Sequence, residues 1–239
     1  MKTSHKITRA ITIISGLLLI IWFVKLKNTD LPHDYHKVKM PQPDFSTIVA
    51  EGQRNLYIQS GDSTYIEFRH WGEKQKIEDD FFVRNDTLFI HCKLDDSSSS
   101  LHITGKNIRK IIAKNKSYVL INKFASGNLK IEADKSHIQF INQNNDENDS
   151  TRYVLNADFS LHNKSRLSIA KSDIQNVKIT ANNSNVILNE STFGSVEIDL
   201  KSRSEYWETG KNIFNKKLKF RSDNSSSYTI RVNKHVKEN

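Results

Sequence analysis

The chain has 239 residues, 36% of them hydrophobic and 26% charged, with a formal net charge of +9. A single cysteine, Cys92, excludes an intrachain disulfide, and 8 glycines with 3 prolines exclude collagen-like and linker-type low-complexity chains. Residues 1–44 hold seven Lys/Arg against three Asp, leaving 29 Lys/Arg against 24 Asp/Glu on the body; that excess permits attraction to polyanions and requires none.

The first predicted element is apolar. After Lys2, Lys6 and Arg9, residues 10–24 form an uncharged, mainly apolar run, which at 1.5 Å per residue spans roughly 22 Å as a helix. Ile7, Thr8 and Leu26 lengthen it toward the ~30 Å hydrocarbon core, Lys25 and Lys27 can snorkel, and Trp22 suits the interface. Residues 1–26 are therefore expected to be an uncleaved signal anchor, touching the membrane through residues 7–26. A cleaved signal peptide is the alternative, although "WFVKLKN" lacks the small-residue cleavage pattern. With its short, acid-free N-terminus in the cytoplasm, the chain is expected to be single-pass, with the body on the extracytoplasmic side of the inner membrane, the periplasm if the cell is Gram-negative. Residues 27–44 contain all three prolines and read as a linker; His33, Asp34 and His36 there are too mobile a set to count as a metal site.

From residue 45 onward the hydrophobic period is two. "NLYIQSGDSTYIEF" reads as a hairpin-like pair and "FFVRNDTLFIHC" as two strands about an "RND" turn. Residues 45–105 are expected to form irregular first coils and residues 106–232 regular ones. The regular part repeats. Ser117 to Ser136 is nineteen residues, as is Ser165 to Ser184; the next nineteen reach Arg203, and Ser225 follows. Ile112, Ile131, Ile179, Ile198 and Phe220 stand five before these anchors, and Val119, Ile138, Leu167 and Val186 stand two after. The unit at Ser165 is one position out upstream. One such coil cannot bury its apolar side chains alone, but stacked parallel coils can. The expected fold is an all-β, right-handed parallel β-helix, a solenoid of ~19-residue coils, after one N-terminal transmembrane helix. Ser136 and its equivalents are corner residues in this reading, not nucleophiles.

The order of an anchor, "FSTIVAEGQRNLYIQSGDSTYIEF", "NDTLFIHC", "LHITGKNIRKIIAKNKSYVLI" and serine-cornered repeats resembles the auto-transporter adhesin head (GIN) domain family, common in envelope proteins of the Bacteroidetes. The likeness covers residues 45–230; "LYIQSGDSTYIEF" and "TLFIHC" are its most specific pieces. The family's corners usually carry Ser-Gly, whereas Lys-Ser and Asn-Ser stand here, as in a divergent member. The resemblance implies a β-helix head in the cell envelope with an adhesive role, and brings no catalytic residues.

The functional expectation is a membrane-anchored, non-enzymatic envelope module that binds an unknown envelope protein or glycan. The alternative is binding of anionic envelope glycan or lipopolysaccharide by Lys130, Lys178 and Lys219, which recur six before the corners on an outward face interrupted by Glu197. Tyr206 and Trp207 are a candidate aromatic contact for sugar. A polysaccharide-active enzyme needs clustered acids, but Glu132, Asp134, Asp173, Glu190 and Asp199 are dispersed, and Asp146, Glu147 and Asp149 sit in a polar insert. No catalytic residue, cofactor or metal is assigned. Nucleic acid is not an expected partner, because no aromatic residue interleaves with the basic positions.

Overall fold

The computed structural model describes residues 35–52, 55–71, 81–91, 99–141 and 154–231. The expected anchor and its cleavage region, His33, Asp34, Cys92 and the acidic insert lie outside the described residues. Two units divide the chain. Of the first (Met1–Tyr35 and Trp71–Glu73) only Tyr35 and Trp71 are described; the second (His36–His70 and Lys74–Asn239) holds the fold described below.

Alternating apolar and polar residues give strands throughout: β1 (Tyr35–Pro41), β2 (Thr47–Glu51), β3 (Leu56–Ser60), β4 (Tyr65–Trp71), β5 (Phe81–Arg84), β6 (Thr87–Ile90), β7 (Ser100–Gly105), β8 (Lys110–Lys114) and β9 (Tyr118–Asn122). The series continues with β10 (Ser126–Asp134), β11 (His137–Ile141), β12 (Val154–His162), β13 (Arg166–Ala170), β14 (Asp173–Asn182), β15 (Asn185–Asn189), β16 (Thr192–Lys201), β17 (Glu205–Thr209), β18 (Ile213–Ser222) and β19 (Ser227–Arg231). No helix occurs among the described residues, so none there is long and apolar enough to cross a membrane.

The strands form one ten-stranded sheet, β1-β4-β7-β3-β9-β11-β13-β15-β17-β19, and one nine-stranded sheet, β18-β16-β14-β12-β10-β8-β2-β6-β5. From β8 onward the chain alternates between the sheets, and from β10 onward each strand pairs in parallel with the strand two before it. The earlier part is less regular. β5 and β6 form the antiparallel hairpin about "RND", with Asn85 and Asp86 both at positive φ. The expected pairing of β3 with β4 does not form: β7 lies between them, parallel to β3 and antiparallel to β4. The segment read as a linker also contributes β1, at the edge of the first sheet. Pro41 ends that strand, where a missing N–H interrupts no inner ladder.

The corners explain where the nineteen-residue frame slips. Before Ser136 and Ser184 the turn uses one left-handed residue, Lys135 or Asn183. Before Ser117, Ser165 and Ser204 it uses two: Asn115-Lys116, Asn163-Lys164 and Ser202-Arg203. The extra residue moves the upstream strand by one. Ile111, not Ile112, therefore pairs with Ile131 in the core, while Ile112 is half-buried on the outer face beside Glu132. For the same reason Ser204, not Arg203, is the corner serine, and Ser226 occupies the next corner instead of Ser225.

Ser117, Ser136, Ser165, Ser184 and Ser204 are buried and polar-satisfied, and Ser226 in the last coil is half-buried. In two-residue turns the serine hydroxyl donates to the carbonyl three residues back, at 2.6 Å for Ser117, Ser165 and Ser204. In one-residue turns it donates two residues back, at 2.9 Å for Ser136 and Ser184. Hydroxyls also accept from the neighbouring coil: the N–H of Ser136 donates to Ser165 Oγ and that of Ser184 to Ser204 Oγ, each at 3.2 Å. Ser172 and Ser191 repeat this contact at the opposite corner.

The core lies between the two inner faces. Ile131, Phe159, Ile179 and Ile198 are register partners and all fully buried. Val119, Ile138, Leu167 and Val186 form the facing column, continued by Tyr206. Phe140 from the first sheet meets Phe159 from the second edge-on at 6.1 Å. Packing weakens at β18, where Leu218 is 44% exposed.

Candidate functional site

The long strands of the second sheet bend. Alternation breaks where two successive residues face outward, at Gln175-Asn176 in β14 and at Gly127-Asn128 in β10. Gly194 is required at this bend in β16, because a Cβ there would collide with the carbonyl of Gln175. The bend opens a groove of about 500 Å3 running across the strands. Its floor is the upper surface of Leu129, Ala157, Val177 and Val196.

Two columns of side chains line it. The first begins with an amide ladder: Asn156 Nδ2 donates to Asn128 Oδ1 at 2.7 Å, and Asn176 Nδ2 donates to Asn156 Oδ1 at 2.8 Å. Ser195 and Lys217 continue it. In the second column Lys130, Asp158, Lys178, Glu197 and Lys219 are successive register partners. The three lysines named from the sequence thus share one column, but an acid separates each from the next. Asp158 was hidden because its coil has the longer turn, which shifts it to seven before Ser165.

Much of this charge is paired. Glu132 takes Lys110 and Lys130, each at 3.1 Å. Burial alone would raise the Glu132 carboxyl, but the two hydrogen-bonded ammonium groups outweigh it and hold it below the usual value. Glu197 accepts from Lys219 at 2.9 Å, which lowers its pKa, and Arg221 lies at 3.8 Å. Lys178 has no ion pair among the described residues. The groove can therefore present amides, alternating charges and an apolar floor to an extended ligand.

Tyr206 and Trp207 do not form a joint platform. As strand neighbours they face opposite sides. Tyr206 is 3% exposed, packs on Phe220 at 5.6 Å and donates to Glu208 at 3.3 Å; burial raises its phenol pKa. Trp207 is 39% exposed on the outer face of the first sheet.

That face carries a second polar cluster. His102 stacks on Tyr57 at 4.4 Å, and its Nε2 lies 3.1 Å from Ser100 Oγ. Its cross-strand neighbour Glu67 is engaged by Lys37 at 3.0 Å and Arg69 at 2.5 Å, so the carboxylate is not available to orient the imidazole. Burial, then the Arg69 charge, lower the His102 pKa to about 4. Among the described residues no group of three or more His, Cys, Asp or Glu is placed to hold a metal ion.

The amide ladder was absent from the sequence reading. Asn128 and Asn176 both stand eight before their corner serines, and Asn156 stands nine before Ser165, so a frame allowing the longer turn would have aligned them.

No protein-family model matches the sequence, and no curated protein matches it. Solved structures are similar at low identity. A proposed adhesin from Bacteroides fragilis gives a TM-score of 0.49 over 83% of this chain and 98% of its own, at 14% identity. A proposed lipid-binding protein from Parabacteroides distasonis gives 0.42, covering 82% and 97%, at 8% identity. A proposed adhesin from Parabacteroides merdae gives 0.32, covering 82% and 97%, at 10% identity.

Proposed function

We propose that this chain is a membrane-anchored, non-enzymatic envelope module, with a right-handed parallel β-helix head of the auto-transporter adhesin head type that binds an extended partner along its groove. The observation that carries the reading is the groove itself. It crosses successive strands in one line, so an extended glycan or peptide segment lying in it would meet a polar column of three amides followed by Ser195 and Lys217, a charged column and an apolar floor. Repeated weak contacts of this kind suit recognition of a linear ligand. The anchor rests on the apolar run of residues 10–24 and the flanking Lys25 and Lys27. Anionic glycan or lipopolysaccharide is the second reading. It is favoured by the excess of basic over acidic lining residues, with Arg109, Lys178 and Lys217 outside any ion pair among the described residues.

The test is site-specific photo-cross-linking in intact cells of the source organism. A photoreactive residue at Asn156 is expected to capture a discrete envelope component, and one at Ser168, on the outer face of the first sheet, is not. Equal capture from both positions, or none from Asn156, sinks the groove reading. Mass spectrometry of the native N-terminus tests the anchor separately; a mature chain beginning between Val24 and Asp34 would show cleavage.

A further inference from the structure

A row of positive charge with no acid in it lies at a corner, away from the groove. The residue before each corner serine is Lys116, Lys135, Lys164, Asn183 and then Arg203, one per coil. These turns stack directly. The N–H of Lys116 donates to the carbonyl of Lys135 at 2.8 Å, and that of Lys164 to the carbonyl of Asn183 at 2.6 Å. Four cations therefore line up over four coil steps, about 19 Å at ~4.8 Å per step. All four are exposed, and none makes an ion pair among the described residues. Lys116, Lys135, Asn163, Lys164 and Asn183 line a shallow depression of about 530 Å3.

Two features make this row unlike ordinary surface charge. The first is backbone conformation. Lys116, Lys135, Lys164 and Arg203 have φ of 67°, 50°, 68° and 64°. Glycine or asparagine takes such angles more cheaply than lysine or arginine, and Asn183 does so at φ 50° in the same row. Like charges on adjacent coils also repel. Stability alone therefore argues against these residues. The second feature is how the neighbouring acids are held. Asn115 donates to Glu51, and Asn163 donates to Asp134 at 2.8 Å. Asp223 accepts from the N–H of Ser202 at 2.7 Å and from Ser225 and Ser226, which lowers its pKa to about 2. These acids remain anionic, but Asn115, Asn163 and Ser202 hold them, and none is ion-paired to the four ridge cations among the described residues. The opposite corner differs: its left-handed residues Lys123, Lys171 and Glu190 change sign.

We infer that the corner ridge Lys116–Lys135–Lys164–Arg203 is a binding site for a linear anionic polysaccharide lying parallel to the stacking direction. This site is separate from the groove, and the inference does not depend on the groove reading. A chain ligand is favoured over a lipid surface because the cations stand in single file on a corner rather than spread over a face. It is favoured over nucleic acid because no Phe, Tyr or Trp lies within the stacked turns to receive a base.

The full chain, held in detergent, is applied to beads carrying polygalacturonate, a linear carboxylated polysaccharide, and to beads carrying neutral dextran. Three proteins are compared: the parent, K116N/K135N/K164N/R203N, and the opposite-corner variant K123N/K171N. The parent and the opposite-corner variant are expected to bind polygalacturonate alone and to elute as salt rises. The corner variant should bind roughly tenfold or more weakly. Its thermal midpoint should be equal or higher, because asparagine suits these turns better, which separates lost binding from lost fold. Soluble polygalacturonate should displace the parent; mixed micelles with phosphatidylglycerol and oligothymidylate should not. The inference is overturned if the corner variant binds as the parent does, if neutral dextran retains the parent equally, or if only the lipid or the oligonucleotide competes.

Discussion

Ser204 shows what one side chain does for the stack. Its hydroxyl donates to Lys201 and Ala181 and accepts the buried N–H of Ser184 from the coil before. Ser204→Ala removes all three contacts and leaves that N–H without a partner, so it should cost about 1–3 kcal/mol, read as a lower urea midpoint with unchanged slope. A change below the error of the fit would mean that the corner serines are replaceable filler. His102 gives the residue-scale pH dependence. Its pKa falls from 6.5 unfolded to about 4 folded, mainly through burial. The folded state thus favours the neutral ring, and the stability this confers is complete above pH 6.5 and is lost as pH falls toward 4. Denaturation midpoints at pH 7 and pH 4.5 should differ less for His102→Gln than for the parent. An unchanged difference would place the sensitivity elsewhere, for instance at His137, which shifts the same way.

At the scale of the strand, alternation decides burial. Ile179 is fully buried between Phe159 and Ile198, while its neighbour Thr180 faces outward between Ser160 and Asp199. Ile179→Asp strands a carboxylate in the core and should cost about 3–5 kcal/mol. Thr180→Asp, even with Asp199 beside it, should cost under about 1 kcal/mol. Equal costs by chemical denaturation would contradict the assigned faces. This alternation made the strands and the inward columns legible in the sequence, because burying one face imposes period two. Turn length was not legible from spacing, since one and two left-handed residues serve the same corner. That single ambiguity accounts for the misplacing of Ile112, Arg203 and Ser225 and for the missed Asp158 and Asn156.

At the scale of the molecule, the candidate sites are properties of stacking rather than of any one strand. The groove exists because bends recur at one level of the second sheet, and the corner ridge exists because turns recur one above another. The sequence displayed both sets of residues: the outward lysines six before the corners, and the Lys-Ser pairs at the corners. Which residues became neighbours depended on coil lengths that periodicity alone left open. The polar insert after Ile141 concealed that β12 directly follows β10 in the sheet. The central claim is that successive coils stack in register, so that outward side chains form straight columns. Pulsed electron–electron spin distance measurement between labels at Lys110 and Lys219 tests this most directly. These positions share one column, linked through Lys130, Asp158, Lys178 and Glu197. Five ladder steps at ~4.8 Å give a backbone separation of about 24 Å, so one narrow distribution near that value is expected. A broad distribution, or a peak well beyond 30 Å after allowance for the labels' reach, would contradict the stacked register and with it both proposed sites.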